Sequence, residues 1–237
     1  MAQYLLGLLL IILTVWGGMV ILLLLRVGLY KTSWQNITAK PTPKDALVYI
    51  VLGDSTAQGI GARQLTDSYP YRTAMWLQKQ TGRQVAIKNF SVSGSTVADV
   101  IRDQLPKMQM SDIPNVVSVS VGANDIAKFE SEKFESDMRT LLYALPVETY
   151  FALIPTFGGR NAKLNWKVKE ANKITTRLLL STNHHLVDMY TATGALKGIG
   201  IYAADLYHPS TKAYKTWAFT FQGCMAERIP ELIYQKR

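Results

Sequence analysis

Ala46-Leu47-Val48-Tyr49-Ile50-Val51-Leu52-Gly53-Asp54-Ser55-Thr56 joins an unbroken apolar run to a short polar turn. Seven consecutive residues without a charge, rich in β-branched side chains, read as a strand buried on both faces. The run stops at Gly53, and a serine follows two residues later. A serine just beyond the carboxyl end of such a strand stands where α/β proteins place their chemistry.

Working outward, two further strand-like runs end in the same manner. Val85 to Phe90 leads into Ser91-Val92-Ser93-Gly94, and Val116 to Val121 leads into Gly122-Ala123-Asn124-Asp125. Near the other end lies Asp205-Leu206-Tyr207-His208-Pro209. A serine hydroxyl is a weak nucleophile at neutral pH. It needs a base beside it, and the base needs a group that fixes its tautomer and supports its positive charge. Histidine and a carboxylate three residues apart supply both, although a loop aspartate also serves as a turn or cap residue.

Taken together, the blocks around Ser55, Gly94, Asn124 and His208, in that order, resemble the SGNH (GDSL-type) hydrolase superfamily over residues 46 to 230. Gly-x-Ser-x-Gly, the nucleophile elbow of α/β-hydrolases, is absent. The resemblance implies a flavodoxin-like three-layer α/β/α sandwich with a five-stranded parallel sheet. It implies catalysis by Ser55, Asp205 and His208, and an oxyanion hole made of the Ser55 and Gly94 backbone N–H groups and the Asn124 side-chain amide. The implied activity is hydrolysis of carboxylic ester or thioester bonds, with small-molecule, lipid or glycan esters as substrates. Acyl transfer to a sugar hydroxyl, removal of O-acetyl groups, and an inactive binding module on the same fold are the competing readings.

The element pattern agrees with that fold class, because apolar runs alternate with helical periodicity. Helices are expected over residues 69–80 and 96–105, the second stopping at Pro106. Phe134, Met138, Leu141 and Leu145 recur at helical spacing and read as core. A fourth strand over 149–154, a long helix over 161–181, a fifth strand over 186–189 and a last helix starting at Pro209 complete the domain.

The first thirty residues are different. Leu5 to Leu25 carries no charge and, at about 1.5 Å per residue, reaches roughly 30 Å, the thickness of a bilayer's hydrocarbon core. It reads as a retained membrane helix rather than a signal peptide, since no basic start and no Ala-x-Ala-like cleavage site accompany it. The domains expected are therefore an anchor over 1–30, a juxtamembrane linker over 31–45 and a hydrolase over 46–237, with Tyr4 and Trp34 near the two membrane interfaces. Arg26, Lys31, Lys40 and Lys44 all follow the span, which by the positive-inside rule favours a cytoplasmic domain. The resemblance favours the extracytoplasmic side.

Net charge is +9 for the 237 residues, and +8 remains once Arg26, the sole charge of the first thirty, is removed. The basic residues are scattered and no recognition motif is present, which argues against nucleic acid. Cys224 is the single cysteine, so no intrachain disulfide forms. His184 and His185 lack the further ligands of a metal set, Gly53 to Gly61 lacks the ending of a phosphate loop, and no cofactor is implied. Asp54 and Asp125 read as loop-fixing partners. Phe157, Trp166, Tyr202 and Tyr207 are candidates for an acyl pocket. Nothing in the sequence fixes an oligomeric state.

Overall fold

The computed structural model describes residues 2–198 and 200–234. Five parallel strands form one sheet in the order β2-β1-β3-β4-β5, with β1 Leu47–Gly53, β2 Val85–Asn89, β3 Val116–Ser120, β4 Tyr150–Ala152 and β5 His185–Val187. This is the flavodoxin-like order. All of β1 is buried, as its continuous apolar run requires of a central parallel strand.

Alternation along β1 divides the core in two. Val48, Ile50 and Leu52 point to one layer, where they meet α4 Val97–Asp99, α5 Leu105–Gln109, α6 Ser131–Ala144 and α7 Asn165–Leu179. Leu47, Tyr49 and Val51 point to the other, against α3 Tyr69–Thr81 and α9 Thr211–Met225. The short α2 Ser55–Gln58 and α8 Met189–Gly194 lie beyond the strand ends, and α10 Ile229–Tyr234, which the sequence pattern did not foretell, closes the chain by burying Leu232. On either side of β1 the neighbours are β2 and β3. The carboxyl end of β1 is therefore the switch point of the sheet, where a crevice opens.

The last helix starts at Thr211, not Pro209, because Ser210 caps it and Pro209 is held in a bridge to Tyr202, and the long helix is α-helical over Asn165–Leu179; two further elements depart from expectation more strongly. The helix expected to stop at Pro106 instead widens into one π turn, Val100–Gln104, and continues as α5 with the proline in its first turn. A proline lacks the N–H that an unbroken α ladder would use; restarting the helix there removes the conflict. The second departure is α1 Ala2–Thr38, which is helical through the first part of the segment expected to be a linker. Its residues from 4 onward form a helix long and apolar enough to cross a membrane.

α1 also docks on the domain. Leu23 and Tyr30 pack on Ile60, and Trp34, expected at a membrane interface, is buried in the α3/α9 layer with its indole N–H donating to the Gln58 carbonyl at 2.9 Å. Tyr30 Oη donates to the Ala62 carbonyl at 3.0 Å, and Trp16 Nε1 to that of Ala204 at 2.8 Å. Lys88 Nζ closes the end of the helix by donating to the carbonyls of Thr38 and Lys40.

Candidate active site

Ser55 is the first residue of α2, turned into the crevice by Gly53 and capped by Asp54. Gly53 has φ +141°, and a Cβ there would stand 2.0 Å from the Ser120 carbonyl oxygen, so no other residue fits. The buried amide of Gln104 holds both polar groups of Gly53, accepting from its N–H at 2.9 Å and donating to its carbonyl at 2.8 Å. Asp54 accepts from Thr56 N and Thr56 Oγ1. Burial pushes the Asp54 carboxyl up, against the pull of those bonds.

His208 arrives from the far end of the chain. Tyr202 and Pro209 bridge as an antiparallel pair, and Ala203 N–H donates to the His208 carbonyl, closing a tight loop. At its tip Leu206 adopts φ +57°, a left-handed conformation unusual for leucine, which turns the chain so that Asp205 and His208 face each other. Gly61 permits the approach, because a Cβ there would meet the Pro209 carbonyl oxygen at 2.2 Å.

The result is a chain of contacts. His208 Nε2 lies 3.0 Å from Ser55 Oγ, and His208 Nδ1 lies 2.5 Å from Asp205 Oδ2. Asp205 Oδ1 accepts from the backbone N–H groups of Tyr207 and His208, both at 3.0 Å. Burial works to raise the Asp205 pKa; the His208 hydrogen bond and charge, with the two backbone donors, outweigh it and hold the carboxyl at about 2. An ionised carboxylate only accepts, so Nδ1 is the donor of this pair, and in the neutral imidazole that tautomer leaves the Nε2 lone pair facing the serine hydroxyl.

Gly94 and Asn124 stand on the loops that follow β2 and β3; Ala123, beside Asn124, lines the Ser55 cavity, while Asn124 itself faces a neighbouring pocket with Thr96 and Asp125. Val92 N–H donates to the Gly53 carbonyl at 3.1 Å, and Gln104 Nε2 contacts Ser95 Oγ at 3.2 Å, tying the Gly94 turn to the end of β1. Asn124 Nδ2 donates to the Ser95 carbonyl at 2.9 Å. Asp125 accepts from Val97 N, as a loop-fixing partner would, and burial pushes its pKa up to about 6 against that bond. Sequence reasoning passed over Gln58, Asn89 and Gln104. Gln58 accepts from Ser93 N and Asn89 donates to the Ala57 carbonyl. A polar amide inside an otherwise apolar pattern, as at Gln104 among Val100, Ile101 and Leu105, is the signal that could have found them.

A cavity of about 60 Å³ opens beside Ser55 and His208, walled by Phe157, Ile201, Tyr202, Leu206 and Tyr207. Three of the four candidate aromatics are there. Trp166 is not: it is 65% exposed, beneath Lys167. His184 and His185 sit at the opposite, amino-terminal end of β5, one against the Leu142 carbonyl and the other stacked on Tyr150 at 4.6 Å. No group of three potential metal ligands occurs among the described residues.

A family model described as GDSL-like lipase/acylhydrolase matches residues 51–216, a span that contains Ser55, Gly94, Asn124, Asp205 and His208. The chain belongs to this family. It is an SGNH-type ester hydrolase. Among solved structures, a family 3 carbohydrate esterase of Clostridium thermocellum is similar to this GDSL hydrolase at TM-score 0.63 and 16% identity, covering 79% of this chain and 99% of its own. Axe2, an acetylxylan esterase from Geobacillus stearothermophilus, gives 0.58 and 19%, with 82% and 99% covered. The psychrotrophic esterase EstA from Pseudoalteromonas sp. gives 0.58 and 21%, with 77% and 98% covered. At such identities the likeness concerns the fold. No curated protein matches the chain.

Proposed function

We propose that this GDSL hydrolase cleaves carboxylic esters or thioesters through an acyl-enzyme on Ser55. One observation carries the reading: the unbroken sequence of contacts Ser55 Oγ, His208 Nε2, His208 Nδ1, Asp205 Oδ2. In this mechanism His208 takes the serine proton as Oγ bonds to the carbonyl carbon, and then gives that proton to the leaving alcohol or thiol. Water, deprotonated by the same nitrogen, attacks the acyl-enzyme and releases the acid. Asp205 stays ionised throughout, holding the tautomer and supporting the imidazolium. The Ser55 and Gly94 N–H groups and the Asn124 N–H not given to Ser95 are the oxyanion donors. No step draws on a metal or cofactor.

The test is kinetic. Ser55→Ala in the full chain in detergent should lose at least about 10⁴-fold in kcat on p-nitrophenyl acetate, and Asn124→Ala about a hundred- to a thousandfold. Turnover unchanged in the first variant would remove Ser55 from the chemistry.

The small cavity favours a second, narrower reading: removal of short acyl groups, acetyl above all, from glycans or other alcohols. About 60 Å³ accommodates on the order of four to six water-sized atoms. The carbohydrate and acetylxylan esterases among its structural neighbours carry out chemistry of that kind, by their names. Acyl transfer to a sugar hydroxyl uses the same acyl-enzyme, whereas an inactive binding module has no need of an assembled Ser-His-Asp set. On p-nitrophenyl esters, kcat/KM is expected to be highest for acetyl and butyryl and to fall at least about tenfold by palmitoyl. A preference for palmitoyl would contradict the short-chain reading.

The same reading gives residues 1–30 as a membrane anchor, 31–45 as the connection and 46–237 as the enzyme. The apolar length of α1 supports it.

A further inference from the structure

Between α1 and the catalytic domain runs a cleft of about 600 Å³, separate from the Ser55 cavity but sharing Tyr202 as a wall. Its two ends differ in chemistry. Met19 and Leu22 make one end apolar, while Arg26, Arg63, Lys212 and Lys215 make the other cationic, and no acidic residue lines it among the described residues. None of the four cations pairs with a carboxylate among the described residues, and the half-buried Arg26 guanidinium has only a long 3.4 Å contact to the Ala62 carbonyl. From Met19 to Arg26 the helix rises about 10 Å, the distance over which a lipid passes from acyl chain to phosphate. α1 is already docked at Trp16, nine or more residues before its apolar run ends, so the domain lies along the run and not above it.

We propose that this cleft is a binding site for an anionic phospholipid. The phosphodiester sits between Arg26, Arg63 and the two lysines, where a guanidinium fork and point charges replace its hydration. The acyl chains lie along Met19 and Leu22. The volume is that of a specific small-molecule site. A free anion would satisfy only the cationic end, whereas a phospholipid fills both. The lipid would bridge α1 to Ala203 and Ala204, the residues that lead into Asp205. The site rests on α1 being a membrane helix.

The test uses the full chain purified in mild detergent and exchanged with phosphatidylglycerol or phosphatidylcholine, with retained lipid counted by native mass spectrometry. One phosphatidylglycerol per chain is expected, preferred over phosphatidylcholine by about ten- to a hundredfold, and the preference should vanish in the Arg63→Gln, Lys212→Gln, Lys215→Gln triple variant. Hydrolysis of p-nitrophenyl acetate by that variant in detergent, expected unchanged, reports its folding. Should it fail to fold, Lys215→Gln alone is expected to weaken phosphatidylglycerol retention severalfold. Equal retention of both lipids, a preference that survives the substitutions, or displacement of the lipid by millimolar inorganic phosphate overturns the site. Release of the full chain from membranes by alkaline carbonate would overturn the anchor and the site with it, while a carbonate-resistant chain that holds both lipids equally overturns the site alone.

Discussion

Asp205 and Asp125 are both partly buried carboxyls, and their surroundings drive them apart. Asp205 gains an imidazole and two backbone N–H donors and stays ionised to about pH 2. Asp125 has the Val97 N–H and the like charges of Asp137 and Asp54, and burial wins. A carboxyl whose folded pKa is raised contributes stability that is complete below the unfolded value and lost as pH climbs through about 6. Asp125→Asn keeps an acceptor for Val97 and cannot ionise. The variant should therefore gain about 1–2 kcal/mol over the parent at pH 8 and nothing at pH 4, read as the difference in Tm at the two values. The same difference at both pH values would show that Asp125 is not ionising in a hostile setting. Gly53, Gly61 and Leu206 illustrate a different cost: each uses a positive φ where Ser55 and His208 are brought together across 153 residues of sequence, which no local preference would produce.

Among the elements, α1 is the one whose contribution is easiest to misjudge. Its Leu23 and Tyr30 pack on Ile60, and Tyr30 and Trp34 bond to Ala62 and Gln58, in the segment that immediately follows Ser55. A soluble piece starting at residue 31 should therefore be less stable than one starting at residue 19, by about 2–4 kcal/mol from the urea midpoint. Equal midpoints would mean that the docked half of α1 adds nothing to the domain. Much of the sheet was legible beforehand, because a strand buried on both faces leaves a continuous apolar run, as β1 does; β3 shows it through its valines, with the small Ser118 and Ser120 buried between them. The Asp205 to Pro209 block was legible because its partners are three residues apart. Trp34 and Trp166 were not: each was assigned by type, an aromatic near a membrane or near a pocket, and what decides burial is a surface contributed by elements distant in sequence. The π turn before Pro106 was hidden for a related reason, since a proline signals a break in the ladder and not how the ladder resumes.

Across the whole fold, the carboxyl end of the sheet gathers the candidate site and one long helix ties that end to an apolar surface. The loops after β1 and β3 line one cavity with Leu206, Tyr207 and His208, the loop after β2 is tied to Gly53 and Gln58, and α1 touches both the segment following Ser55 and the segment preceding Asp205. In the proposed mechanism Ser55 is the nucleophile and His208 its base. Both roles are exposed by labelling the full chain with a fluorophosphonate and mapping the tagged peptide. A single adduct on Ser55 is expected, formed at a rate that falls by orders of magnitude in His208→Ala; an adduct on any other residue, or labelling indifferent to His208, would rule the mechanism out.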